Sequence, residues 1–433
     1  MINFSPRWVY TILLWLLLPY TFFHLLWRAR KQPEYLRHIG ERFGFYSMRS
    51  DRPVIWLHTV SVGETRAAAS LIQRLREKYP GHQLLLSHTT PTGRAAGEQL
   101  YGDNILRVYL PYDYPFAVRR FLRHFRPQIG ILLETEIWFN LIHICHAEKI
   151  PLLLLNARLS EKSARGYARY SKLTQAGLRE LSAVAAQSEA DAARLTALGA
   201  GNVAIMGNLK FDIEAPAKML ELGRQLRIQF GQDRKIFLAA STRVGEEQLL
   251  LNALRQTEIP HLLTVIVPRH PQRFDEVATL LTQRGIRFQR RSKNNAIATD
   301  TQVVLGDSMG EMFAYYAACD LAFIGGSLLP FGGQNLIEAS TVGVPVLIGP
   351  HTYNFEQASH LAVTSGAAIR VQNTNDMALS LQNMFDHPHQ LSEIGLAGLR
   401  FANAHRGATG KALLHITQFI RDASKNSTSD ITA

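Results

Sequence analysis

Glu64 ends the stretch Ser-Val-Gly-Glu just beyond the apolar run 54–60, and Glu134 closes the apolar run 129–134. Each carboxylate sits where a strand gives way to a loop or helix, the side from which ligands are met in open α/β sheets. Polar side chains so placed are candidates for carrying chemistry. Glu64 also falls in the first turn of a helix, where a negative charge suits the dipole with no chemistry involved. Glu136 follows two residues after Glu134 and faces the opposite side if the chain stays extended. Lys210, in Gly-Asn-Leu-Lys-Phe-Asp, lies between the two halves of the chain, where it can reach a leaving phosphate. Pro268-Arg269-His270-Pro271 follows the run 262–267 and offers a two-pronged clamp for an anion.

A second constellation fills residues 320–350. A short apolar strand leads into a loop bearing two Gly-Gly pairs, 325–326 and 332–333, then Gln-Asn-Leu-Ile-Glu and a Val-Pro-Val strand. Paired glycines allow a sharp turn or close approach of backbone to a ligand. Asn335 is placed to cap a helix whose free N–H groups attract an anion, and Glu338, one turn on, can take a ribose hydroxyl. An ordinary β–loop–α connection is the competing reading. Ser308 and Glu311 have capping-box spacing, and the helix they open presents further N–H groups.

Other chemistries lack their residues. The chain contains no Asp-x-Asp pair for a nucleotide-bound divalent ion, no phosphate-binding P-loop and no Gly-x-Gly-x-x-Gly. His143, Cys145 and His146 have no fourth partner for a metal. Cys145 and Cys319 are the two cysteines, too few for a disulfide framework.

Strands and helices alternate at βαβ spacing from Pro53 onward. Strands are predicted at 54–60, 83–88, 105–110, 129–134, 150–155, 183–187 and 203–206. After a mixed segment the pattern restarts at 236–240, 262–267, 286–290, 302–305, 321–324, 346–348 and 368–371. Nearly continuous apolar strands are expected when helices cover both faces of a parallel sheet. Val-Ser-Val-Gly-Glu (60–64) and Arg-Val-Gly-Glu-Glu (243–247) echo one another after the first strand of each half. Two Rossmann-like domains facing across a cleft are predicted, at 31–209 and 235–423, joined by a linker at 210–234. A polar, disordered tail is expected at 424–433.

Residues 8–27, from Trp8 to Trp27, carry no formal charge. As one helix they span about 30 Å, the thickness of a bilayer core. Arg28, Arg30, Lys31, Arg37 and Arg42 follow, against Arg7 before. A membrane anchor over 1–30 is expected, either spanning or lying in the interface, with the domains on the cytoplasmic side. The net charge of +12 points to an anionic partner. Arg158, Lys162, Arg165, Arg169 and Lys172 recur as one helical stripe suited to lipid phosphates. Arg119, Arg120, Arg123 and Arg126 form a second cluster. No stacking aromatics interleave with these charges, which disfavours nucleic acid.

Taken together, SVGE, LPYDYP, ETEIW, LLNARLSEKS, GNLKFD, PRHPQRF and GGQNLIEA resemble the Kdo (3-deoxy-D-manno-octulosonic acid) transferases of lipopolysaccharide synthesis. The resemblance runs from the anchor to about Pro350. It implies an α/β GT-B glycosyltransferase that moves Kdo from CMP-Kdo to a phosphorylated lipid A precursor (lipid IVA) at the cell inner membrane, with inversion and without a catalytic metal or other cofactor. On that resemblance 31–209 binds the acceptor and 235–423 the CMP-sugar. Glu64 is the base, and Glu134 and Lys210 steady the transition state. Pro268, Arg269, Met309, Gly310, Glu311, Asn335, Leu336, Ile337 and Glu338 hold CMP. Phe139 departs from the family, which more often has proline there. Two other readings remain: a nucleotide-sugar epimerase, or a tethered nucleotide sensor that needs the 335–338 site but not Glu64.

Overall fold

The computed structural model describes residues 5–429, with side chains as far as Arg421. The chain forms two compact units, one running to Asp212 and resuming at Arg406, the other spanning Ile213–His405.

In the first unit the strands are β1 (Val54–His58), β2 (Gln83–His88), β3 (Leu106–Tyr109), β4 (Pro127–Leu133), β5 (Leu152–Ala157), β6 (Ala183–Ala186) and β7 (Val203–Ile205). They pair in parallel in the order β3-β2-β1-β4-β5-β6-β7. Alternate side chains of β1 enter different cores: Val54 and Trp56 pack on one face, Ile55 and Leu57 on the other. With both faces covered, an apolar residue is favoured at nearly every position along the strand, which explains the nearly unbroken apolar runs.

The second unit contains β8 (Lys235–Thr242), β9 (Leu262–Pro268), β10 (Phe288–Arg290), β11 (Val303–Leu305), β12 (Leu321–Ile324), β13 (Val346–Ile348) and β14 (Ala368–Arg370). They are again parallel, in the order β10-β11-β9-β8-β12-β13-β14. Every predicted strand is present, with ends shifted by at most two residues. The chain changes direction across the sheet between β1 and β4, and between β8 and β12. A crevice opens at the carboxyl ends of such pairs.

Five expectations need correction. The helix Ala408–Ser429 belongs to the first unit, not to 235–423: Ala408, Ala412, Ile416 and Ile420 recur every fourth residue and fill the core beside Ile129 and Ile131. Asp212 receives the backbone N–H of Gly407 at 2.7 Å and that of Thr409, tying down the returning chain. Residues 424–429 of the expected disordered tail continue this helix, and 430–433 lie outside the described residues. The expected linker contains the helix Ala217–Phe230, packed on Met312–Ala318 within the second unit, where Gly223 meets Ala317.

The run 8–27 is not one helix but two: α1 (Pro6–Leu16) and α2 (Leu18–Lys31), bent by 51°. Pro19 lacks an N–H and crowds the preceding turn, so the break falls just before it. Among the described residues no single helix is long and apolar enough to cross a membrane. One face of α1 is fastened to the first unit. Thr11 Oγ1 donates to Asn140 Oδ1 and Tyr10 O–H to Asp113, both at 2.9 Å, while Tyr114 O–H donates to Leu14 O at 3.0 Å. Phe139 occupies the first position of the helix Phe139–Ala147, where proline is equally at home, and its ring meets Tyr10 edge-on.

The basic stripe is also broken up. Arg158 precedes the helix Glu161–Ala168, Lys162 and Arg165 lie on it, Arg169 caps its end, and Lys172 lies on the next helix, Ser171–Arg179. Of the other cluster, Arg120 is spread over the rings of Phe45 and Phe116.

Candidate active site

Ser61 caps the short helix Val62–Ala67 and brings Glu64 back over the end of β1. Glu64 Oε2 accepts the Val60 N–H at 2.7 Å and Oε1 accepts the Ser61 hydroxyl at 3.0 Å. The side chain is nearly buried, and burial pushes its carboxyl up to about 7, outweighing the Val60 bond and the Lys210 charge that favour ionisation; Glu134 adds to the rise. A helix N-terminus by itself favours the ionised form. Burial wins instead, because an ionised oxygen loses more water than two hydrogen bonds restore.

Glu134 stands at the carboxyl end of β4, across the switch point from Glu64. Its φ of 61° lies in the left-handed region, which is costly for a residue with a side chain and is concentrated at functional sites. That turn corrects the expectation that Glu134 and Glu136 face opposite ways along an extended chain. Burial pushes the Glu136 carboxyl to about 7, with Glu64 and Glu134 contributing, so the three carboxylates share one field. Trp138 Nε1 donates to Glu136 Oε2 at 2.7 Å. His58 lies behind it, its Nε2 buried without a hydrogen bond and 3.9 Å from Glu136 Oε2. Burial lowers the His58 pKa to about 3, so the imidazole is neutral. Lys210 Nζ lies 3.3 Å from Glu134 Oε1.

The turn carrying Lys210 is set by residues that went unnoticed in the sequence. Asn156 Oδ1 accepts the Leu209 N–H at 3.0 Å, and Asn208 Oδ1 accepts that of Lys210 at 3.0 Å. Gln187 joins them, donating to Asn156 O and accepting from Asn208 Nδ2. Buried amides at the ends of β5 and β6, inside Asn-Ala-Arg and Ala-Gln-Ser, were the available signal.

In the second unit Glu246 is the counterpart of Glu64 in the repeated Gly-Glu, but its carboxylate is committed. It accepts backbone N–H groups of Arg243, Gly326 and Leu328 at 2.9, 2.6 and 3.0 Å and thereby shapes the glycine loop. A Cβ at Gly325 would collide with Ser241 O, and Gly326 has φ +70°, so both positions require glycine. Arg269 follows β9, its Nε donating to Gln334 Oε1 at 3.2 Å. Asn335 Nδ2 bonds Glu338 Oε1 at 3.2 Å, and Asn335 Oδ1 accepts the Ile337 N–H at 3.1 Å.

The helix there spans only Ile337–Thr341 with Leu336 as its cap, so the expected dipole site behind Asn335 is not formed. Leu336 and Ile337 are buried in the core and offer a ligand backbone only. Glu311, not Ser308, caps the helix Met312–Ala318. The Ser308 hydroxyl still donates to Glu311 at 2.6 Å, and Arg291 pairs with the same carboxylate at 3.2 Å. Met309 is exposed and Gly310 turns with φ +83°. Pro268 pairs with Thr242 at the sheet end. Two cavities of this unit, of about 490 and 550 Å³, are lined by none of these residues. The first opens beside Lys235 and Asp320 at the amino ends of β8 and β12, away from the crevice side.

Two seven-stranded parallel units, each with polar side chains gathered at its switch point, define a GT-B type of protein. A glycosyltransferase from Rickettsia africae aligns with a TM-score of 0.56 at 14% identity, over 87% of this chain and 100% of that one. The UDP-GlcNAc 2-epimerase of Neisseria meningitidis aligns with a TM-score of 0.55 at 15% identity, over 86% of this chain and 100% of its own. These likenesses concern fold alone. Sequence is more specific. Residues 37–213 match the family model of 3-deoxy-D-manno-octulosonic-acid transferase (kdotransferase). The 3-deoxy-D-manno-octulosonic acid transferase of Bordetella pertussis is 39% identical over 425 residues, 94% of this chain and 98% of that protein. The chain belongs to the 3-deoxy-D-manno-octulosonic acid transferase family and is a glycosyltransferase.

Proposed function

We propose that the chain transfers Kdo from CMP-Kdo to a hydroxyl of a phosphorylated lipid A precursor (lipid IVA), inverting the anomeric carbon, in lipopolysaccharide synthesis. The observation that carries this reading is Glu64, buried at the β1–β4 switch point beside the Lys210–Glu134 pair, where burial raises its carboxyl to about 7. Glu64 takes the acceptor proton as the hydroxyl oxygen bonds to the anomeric carbon. The bond from that carbon to the CMP phosphate breaks, and its electron pair leaves with CMP. Arg269 supplies positive charge for the departing phosphate, and Lys210, oriented by Glu134, steadies the transition state. With cationic side chains in those roles, no catalytic metal is invoked, and transfer should withstand EDTA. CMP is assigned to Pro268-Arg269, Met309 to Glu311 and Asn335 to Glu338.

The acceptor is a lipid, and the amino-terminal helix pair suits a lipid surface. Trp8, Trp15, Phe23 and Trp27 are exposed, and Arg28, Arg30 and Lys31 follow in the last turn. With one face of α1 fastened to the first unit, the pair is suited to lie in the cytoplasmic interface of the inner membrane. Turnover of radiolabelled CMP-Kdo with and without lipid acceptor tests the assignment. Transfer to lipid is expected. Isomerisation of the sugar without acceptor would instead mark an epimerase, and binding without turnover a sensor.

A further inference from the structure

Beneath α2, against the first unit, lies a cavity of about 180 Å³ lined by two arginines and no carboxylate. Arg42 is only 3% exposed, and among the described residues it has no ion pair. Its two Nη atoms donate to Thr89 O at 3.1 Å, and its Nε is buried with no partner. The guanidinium lies 4.1 Å over Tyr109 and 5.9 Å over Tyr35. Aromatic faces offset part of the cost of a buried cation, but an uncompensated charge remains expensive unless an anion joins it. Arg28, from α2, lies over the same Tyr35 ring at 4.4 Å, so one ring serves both guanidiniums. Leu25 and Leu110 make the opposing wall apolar. Trp138 also lines the cavity, and its indole N–H is bonded to Glu136 of the carboxylate cluster.

We propose that this cavity is an anion subsite in which Arg28 and Arg42 grip the phosphomonoester of the acceptor headgroup, leading the attached sugar past Trp138 toward Glu64. The proposal rests on the acceptor reading given above and adds the place where that acceptor's charge is held. A forked guanidinium pair matches the oxygens of a phosphate, and the aromatic walls suit a sugar face. The same chemistry is offered by a headgroup in a membrane or by a free phosphosugar.

The full chain in neutral detergent, titrated calorimetrically with inorganic phosphate, glucose 1-phosphate and glucose, tests the subsite. Both phosphates should bind and glucose should not. Arg28→Gln, at an exposed position, should weaken phosphate binding roughly tenfold, and Arg42→Lys, which keeps the charge but loses the fork, by a similar factor. Flotation with vesicles separates the sources. Preference for phosphatidic acid over phosphatidylcholine, lost in Arg28→Gln, indicates a lipid headgroup, whereas binding confined to glucose 1-phosphate indicates a soluble phosphosugar. Phosphate binding that is absent, or equal in wild type and Arg28→Gln while CMP still binds, overturns the proposal even if Arg42→Lys fails to fold. Arginine-dependent phosphate binding in a chain that does not turn over CMP-Kdo would refute the transfer reading and leave the subsite standing.

Discussion

Lys210 Nζ and Glu134 Oε1 stand 3.3 Å apart, each side chain about one-quarter exposed, at the carboxyl end of the sheet that also carries Glu64. The ammonium comes from a turn after β7 and the carboxylate from a left-handed residue after β4, so the pair joins segments far apart in the chain. Lys210→Met and Glu134→Gln should each lower kcat by about 10²–10³, in the range for lost electrostatic stabilisation of a transition state. The double variant should fall well short of the product, because each single change already leaves the other charge misplaced. Steady-state kinetics on all three variants measure the coupling, and full additivity would mean the two act separately.

Glu64→Gln keeps the acceptor oxygen but cannot take a proton. A loss of kcat on the order of 10²–10⁴ is expected, with CMP affinity retained. In the wild type the acid limb of the rate profile should fall near pH 7, since burial has raised this carboxyl from 4.5 to about 7. Stability moves the other way. The folded state holds the proton more tightly than the unfolded chain, so that contribution is fully present below 4.5 and lost as pH rises through about 7. Thermal melts of wild type and Glu64→Gln at pH 5 and pH 8 read the difference. Near-wild-type turnover in the variant would reduce Glu64 to a helix cap.

Glu136 shares the field of Glu64 and Glu134. Removing its charge makes Glu64 easier to ionise, so Glu136→Gln should move the acid limb of kcat/KM to lower pH while kcat at pH 8 changes little. An unmoved limb would mean that Glu136 matters through Trp138 alone.

On the donor side, Arg269→Ala and Glu338→Ala should each raise the KM for CMP-Kdo by an amount equivalent to about 1–3 kcal/mol. Gln334→Ala should follow Arg269→Ala, because its amide oxygen holds the guanidinium. Inhibition constants for CMP separate lost binding from lost chemistry. Unchanged constants in both Arg269→Ala and Glu338→Ala would remove this face from the donor site.

The outward faces of α1 and α2 offer a further test. Trp15→Glu combined with Phe23→Glu should abolish flotation with anionic vesicles, since each aromatic buried in lipid contributes about 1.5–3 kcal/mol. A modest fall in melting temperature is expected, because Phe23 is exposed but Trp15 also packs against the rings of Tyr114 and Phe116. Undiminished flotation would assign membrane contact to another surface.

The strands and their parallel, doubly covered sheets were legible because a strand buried on two faces is apolar at nearly every position, as at Ile129 to Leu133 and Leu321 to Ile324. The places of Glu64 and Arg269 just after strands could be read as well, whereas the break before Pro19 falls in a run that reads as one helix. Other features depended on what packs against what. Ala408, Ala412, Ile416 and Ile420 form a helical stripe in any setting, but only the exposed face of the first sheet determines which unit receives it. Asn335 and Glu338 have the spacing of a helix start, yet the short path to Val346 leaves room for little more than a turn. Nothing in the local sequence states that Glu134 adopts φ 61° and so brings Glu136 into the same field. Nor does Ser-Val-Gly-Glu reveal whether its glutamate ionises like a surface group or near pH 7. That depends on how much water the folded chain removes from the carboxylate, and desolvation is a property of the packed structure rather than of sequence neighbours.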